Sequence, residues 1–282
     1  MSAVFGPGGN GELFYSQGYK STLDAPLWVA DFGLDAYEYE AGNGLSANSE
    51  LLAAIGVKAK LCGVKMSYHT PYFISFSGID PEKRLKSIGY IRQSIEASLL
   101  LGADTIVVHT GSASKITRRE AMTLAADTLI KTLEAVDTYS VKIGLETMGK
   151  ENQLGTLDEV LELCRIDKVF VPVVDFGHLN ARSLGKELNS TDDFLRVFDK
   201  IDRLAGPEIA NKLHCHFSKI EWTDKGEKRH LTFEDSIFGP KYEHFMEAII
   251  KGGYSPTVIC ESAGTQAEDA LTMKKYYMEH KL

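Results

Sequence analysis

The chain has 282 residues, of which 44% are hydrophobic and 25% are charged, and its formal net charge is −8. This composition excludes intrinsic disorder, and the acidic balance argues against nucleic-acid binding through overall positive charge. No apolar run approaches the roughly 20 residues that a membrane helix needs. The N-terminal stretch MSAVFGPGGNGELF lacks the features of a signal peptide, and the cysteines form no CxxC motif. We therefore expect a cytoplasmic protein with reduced thiols.

Eight short apolar runs alternate with helical segments along the chain. The predicted strands cover residues 2–5, 33–39, 63–68, 104–108, 141–145, 168–174, 211–216 and 256–260. Several of these runs are almost continuously apolar, which is typical of parallel strands that are covered on both faces. Their number and spacing predict a (β/α)₈ TIM barrel of the α/β class, formed as a single domain by residues 1–282.

Helix start signals separate the predicted strands. They are an N-cap followed by proline and two capping boxes, at Asp80–Pro81, Thr117–Glu120 and Thr156–Glu159. A doubly wound open sheet is the alternative architecture, and it usually has a glycine-rich phosphate-binding turn after its first strand. The stretch GPGGNG follows the first predicted strand, but we give it little weight as such a turn.

Histidine and acidic side chains stand at or just beyond the C-terminal ends of most predicted strands. They are Glu38, Glu40, His69, His109, Glu146, Asp175, His178, His216 and Glu261. Because these ends meet at one mouth of a barrel, we expect the side chains to lie together. Imidazole nitrogens and carboxylate oxygens are the ligands of zinc and manganese, so the pattern predicts a metal cluster. A single such residue is more often a hydrogen-bonded loop residue, but packing gives no reason for the histidines to gather at one side.

The motifs YHTPYFISF, VVHTGS, GLET, VVDFGH, HFS, KRHLTF and ICES resemble those of the endonuclease IV family. These are the family-2 apurinic/apyrimidinic endonucleases, whose barrel is shared with xylose-isomerase-like sugar isomerases and epimerases. The resemblance extends from about residue 60 to residue 265. It implies a zinc hydrolase of DNA repair that cleaves DNA 5′ to abasic sites. It implies DNA as the partner, but no protein partner and no membrane.

By matching position, the resemblance also implies roles for individual residues. The implied ligands are His69 and His109 for a first metal, Asp175, His216 and Glu261 for a second with Glu146 bridging the two, and His178 and His230 for a third. The expected cofactor is two or three Zn²⁺ ions, with Mn²⁺ as the alternative. Glu146 and Glu261 are the predicted catalytic carboxylates. Tyr72 and Phe73 match residues that press into the minor groove at the lesion.

The chain departs from the family in two places. Where the family has Asp-Arg-His, this chain has Lys228-Arg229-His230, so that an ammonium replaces an anionic ligand. We expect the third site to be weaker, vacant or differently built, with Glu227 as a substitute ligand. Lys228 and Arg229 are then predicted to contact the substrate phosphate. The stretch AYEYEAGNG also lacks the basic and aromatic residues with which the family grips DNA.

Two other functions are compatible with the pattern. In a sugar isomerase or epimerase of the same barrel group, Glu146, Asp175, His216 and Glu261 would hold one metal ion, and the two glutamates would move a proton at a sugar carbon. A one-metal site would not use His69, His109, His178 and His230 as ligands, which favours the hydrolase. A non-catalytic DNA- or nucleotide-binding module that keeps the cluster for structure is the second alternative.

Overall fold

The computed structural model describes residues 2–281 and contains ten strands, which we number in chain order. They are β1 (Val4–Pro7), β2 (Ala36–Glu40), β3 (Lys65–His69), β4 (Thr105–His109), β5 (Lys142–Glu146), β6 (Phe170–Asp175), β7 (His214–Phe217), β8 (Lys219–Thr223), β9 (Gly226–Leu231) and β10 (Thr257–Cys260). Strands β1–β7 and β10 form one parallel sheet in the order β1-β10-β7-β6-β5-β4-β3-β2. Strands β8 and β9 form a separate antiparallel hairpin.

Helices connect and surround the parallel strands. They are α1 (Glu12–Ser16), α2 (Ala25–Asp31), α3 (Ser49–Cys62), α4 (Pro81–Leu101), α5 (Arg118–Ala135), α6 (Leu157–Cys164), α7 (Phe176–Arg182), α8 (Thr191–Ala205), α9 (Pro207–Asn211), α10 (Tyr242–Gly252) and α11 (Gln266–His280), with a 3₁₀ helix at Thr22–Asp24. The predicted N-cap at Asp80 and both predicted capping boxes are confirmed. No helix within residues 2–281 combines the length and the apolar character that crossing a bilayer requires.

The two ends of the parallel sheet approach each other and nearly close it into a barrel. The Asp35 N–H donates to the Phe5 carbonyl at 2.8 Å, and the Gly9 N–H donates to the Glu38 carbonyl at 3.0 Å. A Cβ atom at Gly6 would lie 1.8 Å from the Ala36 carbonyl oxygen, so only glycine permits this approach. The predicted single-domain TIM barrel is therefore confirmed, and each of the eight predicted strands overlaps an observed barrel strand.

Strand register brings the polar strand ends side by side. Glu40 is opposite His69 in the β2–β3 pair, and Asp175 is opposite His216 in the β6–β7 pair. His109 and Glu146 are likewise register partners in β4 and β5. Residues directly opposite each other in adjacent strands lie about 5 Å apart at their Cα atoms. The barrel therefore gathers these side chains at its C-terminal mouth before any ligand is considered.

The hairpin of β8 and β9 is an element of the mouth that the strand pattern did not predict. It follows β7 directly and contains three charged residues in the six of β9, GEKRHL. The Glu227 N–H donates to the Gly149 carbonyl at 3.1 Å, and the Glu151 N–H donates to the Lys225 carbonyl at 3.2 Å. These bonds attach the hairpin to the loop after β5, so that it forms part of the rim of the barrel.

Candidate metal centre

Glu146 lies at the centre of the cluster and is completely buried. Its Oε2 atom is 3.0 Å from His109 Nε2 and 3.4 Å from His69 Nε2. The other ring nitrogen of His69 lies 3.0 Å from the Thr70 carbonyl oxygen, which orients Nε2 toward the carboxylate. Two atoms bound to one zinc ion at tetrahedral angles are about 3.4 Å apart. These three side chains, the first group, therefore have the separation that a shared cation requires.

The second group uses the other oxygen of Glu146 together with Asp175, His216 and Glu261, whose ligand atoms lie within 4.8 Å of one another. His216 Nδ1 is 3.2 Å from Glu146 Oε1 and 3.3 Å from Glu261 Oε1. The Oδ2 atom of Asp175 is buried and accepts no hydrogen bond. A buried carboxylate oxygen without a donor is costly, and a cation at this position would remove that cost.

The spacing of three residues between Asp175 and His178 follows from a helix cap. Asp175 ends β6 and is the N-cap of α7, where its Oδ1 atom accepts the His178 N–H at 2.8 Å. His178 is consequently the third helical residue, and its Nδ1 lies 2.9 Å from the Thr147 carbonyl oxygen. One carboxylate thus caps the helix with Oδ1 and faces the second group with Oδ2, while the imidazole is directed toward a third group.

The third group consists of His178, Glu227 and His230. His178 Nε2 is 3.5 Å from Glu227 Oε2, and His230 Nδ1 is paired with the Ser218 hydroxyl at 2.8 Å. In the hairpin register Glu221 is opposite Arg229 and Trp222 is opposite Glu227, so that Lys228 is an extra residue in a β-bulge. The bulge lets Glu227 face the same side as His230 although the two are three residues apart.

Lys228 and Arg229 point away from the third group. Both pair with Glu221 on the neighbouring strand, with the Lys228 Nζ atom at 2.5 Å and the Arg229 Nε atom at 2.6 Å from its carboxylate. The structure therefore places neither cation in the cavity above the metal groups. Lys228 instead borders an adjoining groove together with Lys225.

Glu38 contacts His216 of the second group and orients its imidazole ring. This carboxylate is completely buried and lies 2.8 Å from His216 Nε2 and 2.9 Å from His214 Nε2, and it also accepts the Ser67 hydroxyl at 2.6 Å. A carboxylate paired with one ring nitrogen fixes the orientation of the imidazole and leaves the other nitrogen for a metal. His216 therefore presents Nδ1 to the second group.

The electrostatics of the cluster show an excess of buried carboxylates. Burial would raise the pKa of Glu146, but the neighbouring His109, His178 and His216 outweigh it and hold the pKa well below its usual range. Burial raises the pKa of Glu40 to about 7 and that of Glu261 well above its usual range. Bound divalent cations would favour the ionised form of all of these groups, so the donor set fits metal binding.

A cavity of about 620 Å³ opens above the three groups. Tyr72 lines it, is 55% exposed, and lies over the His109 ring at 5.4 Å with an interplanar angle of 23°. Phe73 is 51% exposed but packs against Tyr90 outside the cavity. The one lysine or arginine that lines the cavity within residues 2–281 is Lys150, in the loop after β5, which the motif comparison did not identify.

Two arginines hold the loop that carries Lys150. Arg182 donates to the carbonyls of Met148, Lys150, Glu151 and Gln153 at 2.8–3.3 Å. Arg118 donates to two carbonyls of the same loop and forms a two-atom ion pair with Glu159, both bonds at 2.6 Å. These guanidinium groups therefore shape the rim of the cavity and are occupied by backbone oxygens.

Comparison with known proteins gives relatives of two kinds. A family model described as a xylose isomerase-like TIM barrel matches residues 26–276. An uncharacterized protein of Methanocaldococcus jannaschii is 31% identical over 214 residues, which cover 74% of this chain and 76% of that protein. A probable endonuclease 4 of Acholeplasma laidlawii is 29% identical over 157 residues, 54% of this chain and 52% of the relative. The chain thus aligns with about half the length of that endonuclease.

Solved structures with the same fold also belong to two kinds. Endonuclease IV from Thermus thermophilus superposes with a TM-score of 0.68 at 17% identity, covering 93% of this chain and 96% of that one. A D-tagatose 3-epimerase-like protein superposes with a TM-score of 0.68 at 21% identity, covering 87% and 89%. At these identities the superpositions establish a shared fold and leave the chemistry to the side chains of the mouth.

Proposed function

This chain belongs to the xylose isomerase-like TIM barrel family, and on that premise we propose that it is a metal-dependent phosphodiesterase that cleaves DNA 5′ to abasic or damaged sites. The observation that supports this function best is the contiguity of three metal-ligand groups around Glu146. Its two carboxylate oxygens face different groups, and His178 of the third group approaches Oε1 at 3.4 Å. Several adjacent cation sites suit phosphodiester hydrolysis, in which charge develops on several oxygens.

The cofactor that we propose is Zn²⁺ in two or three ions, with Mn²⁺ as the alternative. The first group would hold an ion through His69 and His109, and the second through Asp175, His216 and Glu261, with Glu146 shared. The third would use His178, Glu227 and His230. When bound, such cations supply Lewis acidity, which polarises a phosphoryl oxygen and acidifies water.

The side chains of the mouth would divide the other tasks. Glu261 has Oε1 facing the second group and Oε2 4.0 Å from His230, with 17% of its side chain exposed to the cavity. This position allows Oε2 to accept a proton from the attacking water. Glu146 fixes the spacing of the first and second groups. Lys150 would contact a phosphate of the substrate, and the exposed ring of Tyr72 would press into the minor groove at the abasic site.

A one-metal sugar epimerase is the second candidate, because the second group alone contains the two glutamates, the aspartate and the histidine that such a site needs. The first and third groups speak against it. They bring His69, His109, His178, Glu227 and His230 into ligand geometry where a one-metal site has no use for them. The number of bound ions per chain separates the two functions, since the epimerase requires one and the phosphodiesterase at least two.

The test of the proposed function is incision of a labelled DNA duplex that carries one abasic site. We expect the metal-loaded protein to cut the strand on the 5′ side of that site, and we expect His109→Ala and Glu146→Gln to lose at least ~100-fold in rate. His244→Ala is the matched control, since this partly exposed helical histidine pairs with Glu247 and belongs to none of the three groups. Full incision by both cluster variants, or none by the metal-loaded wild type, would contradict the proposal.

A further inference from the structure

A basic groove adjoins the cavity above the metal groups. It has a volume of about 950 Å³ and lies between the loop after β4, the loop after β5 and the hairpin. Lys150 and Glu227 line both the cavity and the groove, so the two spaces meet at the rim of the barrel. A substrate that is too long for the cavity can therefore continue into the groove.

The groove has an excess of positive charge, although the chain as a whole has a formal net charge of −8. Five basic side chains line it, against the two acidic side chains of Glu151 and Glu227. The Glu227 carboxylate is directed to the third group, where its Oε2 atom lies 3.5 Å from His178 Nε2. Glu151 is exposed, so that solvent screens its repulsion of an anion. The groove therefore favours an anionic ligand.

Three lysines supply the positive charge that a ligand in the groove can reach. The ammonium groups of Lys150 and Lys225 form no hydrogen bond or ion pair within residues 2–281, and Lys225 is exposed at the turn of the hairpin. Lys228 pairs with Glu221, but 53% of its side chain remains exposed. An ammonium group has three donors, so Lys228 keeps donors for a ligand. The bulge that turns Lys228 away from the third group thus places it at the groove.

The hairpin turn that carries Lys225 is held against the loop after β5. Gly226 has a φ angle of +86°, and a Cβ atom there would lie 2.2 Å from the Gly149 carbonyl oxygen, so only glycine permits this approach. The Glu151 N–H donates to the Lys225 carbonyl at 3.2 Å. The backbone of Lys225 is therefore fixed relative to that of Lys150, and a ligand that binds both lysines has to order only their side chains.

We propose that the groove binds the phosphate backbone of the DNA that flanks the abasic site, with Lys225 and Lys228 each contacting a phosphate. The inference rests on the proposed function, because it takes the phosphodiester that is cleaved to lie at the metal groups. Lys225 and Lys228 contact flanking phosphates and leave that phosphodiester to the cavity. Such contacts position a duplex without reading its sequence. A sugar phosphate that fits the cavity ends before the groove, so these two lysines distinguish a polynucleotide from a small substrate.

The test is the salt dependence of DNA binding to the metal-loaded protein, measured by fluorescence anisotropy. The probe is a duplex with one tetrahydrofuran abasic residue, already incised on the 5′ side of that residue so that it cannot be cut there again. We expect Lys225→Ala/Lys228→Ala to lower the slope of log affinity against log salt by about two, and the affinity at about 0.1 M salt by roughly 10-fold or more. Lys225→Arg/Lys228→Arg keeps both charges and should keep the slope.

Two controls show whether the effect belongs to the groove. Lys60→Ala/Lys275→Ala removes two exposed lysines, on α3 and α11, that do not line the groove, and it should keep the wild-type slope. The small ligand 2-deoxy-D-ribose 5-phosphate should bind equally to wild-type protein and to Lys225→Ala/Lys228→Ala in calorimetry, because it does not reach the groove.

The outcomes separate this inference from the proposed function. An unchanged slope in Lys225→Ala/Lys228→Ala overturns the groove assignment even when abasic DNA is incised. The assignment is also overturned when the control double variant lowers the slope equally, or when the small ligand binds the groove variant more weakly than wild type. A slope lowered by about two in the groove variant alone upholds the assignment even when no DNA is incised, in which case the phosphodiesterase proposal fails alone.

Discussion

One bulged residue, Lys228, decides which side chains of the hairpin face the metal groups. In a regular strand, residues alternate between faces, so Lys228 would share a face with His230 and place an ammonium beside His178 and His230. The bulge removes Lys228 from that alternation, and Glu227 takes the position while Lys228 and Arg229 pair with Glu221. An anionic ligand is thus kept at the third group by a change of backbone geometry.

The bulge predicts different effects for two adjacent substitutions. Glu227→Gln should lower the metal content by about one ion per chain, because the amide removes the negative charge that helps His178 and His230 to hold a cation. Lys228→Gln should keep the wild-type content, since its ammonium faces Glu221. Elemental analysis after gel filtration measures both. Equal content in the two variants would show that Glu227 is not a ligand.

Lys150 should contribute to DNA binding through charge. Its replacement in Lys150→Ala is expected to raise KM for abasic DNA and to reduce the slope of log affinity against log salt by about one. The matched control is Lys20→Ala, at an exposed lysine outside the cavity, which should leave the slope unchanged. An unchanged slope in the Lys150 variant would place the phosphate contacts elsewhere.

The site residues that the sequence predicted are positioned by strand ends, whereas those that it did not predict are positioned by a bulge or by a loop. Largely apolar strands end at His69, His109, Glu146 and Asp175. Parallel strands in a barrel bring such ends together regardless of the conformation of the loops. The orientation of Glu227 depends on a β-bulge that no residue pattern predicts, and the sequence suggested Glu227 only as a substitute ligand. Lys150 depends on the path of a loop held by two distant arginines, so motif spacing could not place it in the cavity.

At the scale of elements, the rim of the site is the loop after β5 together with the hairpin. The loop is fixed by the guanidinium groups of Arg118 and Arg182, and hydrogen bonds at Gly149 and Glu151 attach the hairpin to it. Lys150 and Glu227 are therefore positioned by one connected unit. The hairpin itself escaped prediction because β9 is rich in charged residues and lacks the apolar alternation of a half-buried strand.

Loosening the loop should affect both stability and substrate binding. Arg182→Met removes the hydrogen bonds to four backbone carbonyls while keeping an unbranched side chain that replaces the aliphatic part of the arginine. We expect a loss of about 1–3 kcal/mol in the free energy of unfolding and a raised KM for DNA. Urea denaturation measures the first and incision kinetics the second. A free energy of unfolding within 0.5 kcal/mol of the wild-type value, roughly the size of a neutral surface change, would show that these hydrogen bonds do not hold the loop in place.

The ion pair of Arg118 and Glu159 should make stability depend on acidic pH. Burial opposes ionisation of Glu159, but Arg118 and the N–H groups of Gly155 and Thr156 outweigh it and lower the pKa to about 2. A lowered pKa stabilises the folded chain at neutral pH, and this contribution is lost as pH falls from about 4.5 toward 2. Glu159→Gln should therefore lower Tm at pH 7 and approach the wild-type Tm near pH 3. A Tm difference that does not change with pH would contradict this assignment.

At the scale of the whole molecule, the barrel converts residues spread along the chain into one centre. The candidate ligands come from β3, β4, β5, β6, α7, β7 and the hairpin, and the last of them, Glu261, directly follows β10. The alternation of strands and helices predicted this architecture because several of the strands are nearly continuous in apolar residues. Strand order and register follow from this architecture. They bring the residues of the first and second groups together at the C-terminal mouth of the barrel.

The number of divalent ions bound per chain in purified protein, determined by elemental analysis against protein concentration, distinguishes a multi-metal centre from a one-metal centre. Three adjacent ligand groups predict two or three ions, mainly zinc, and Glu146→Gln should lower the number because its carboxylate faces two groups. One ion per chain in metal-replete wild-type protein would favour the one-metal epimerase, and no bound ion would contradict a metal centre of either kind.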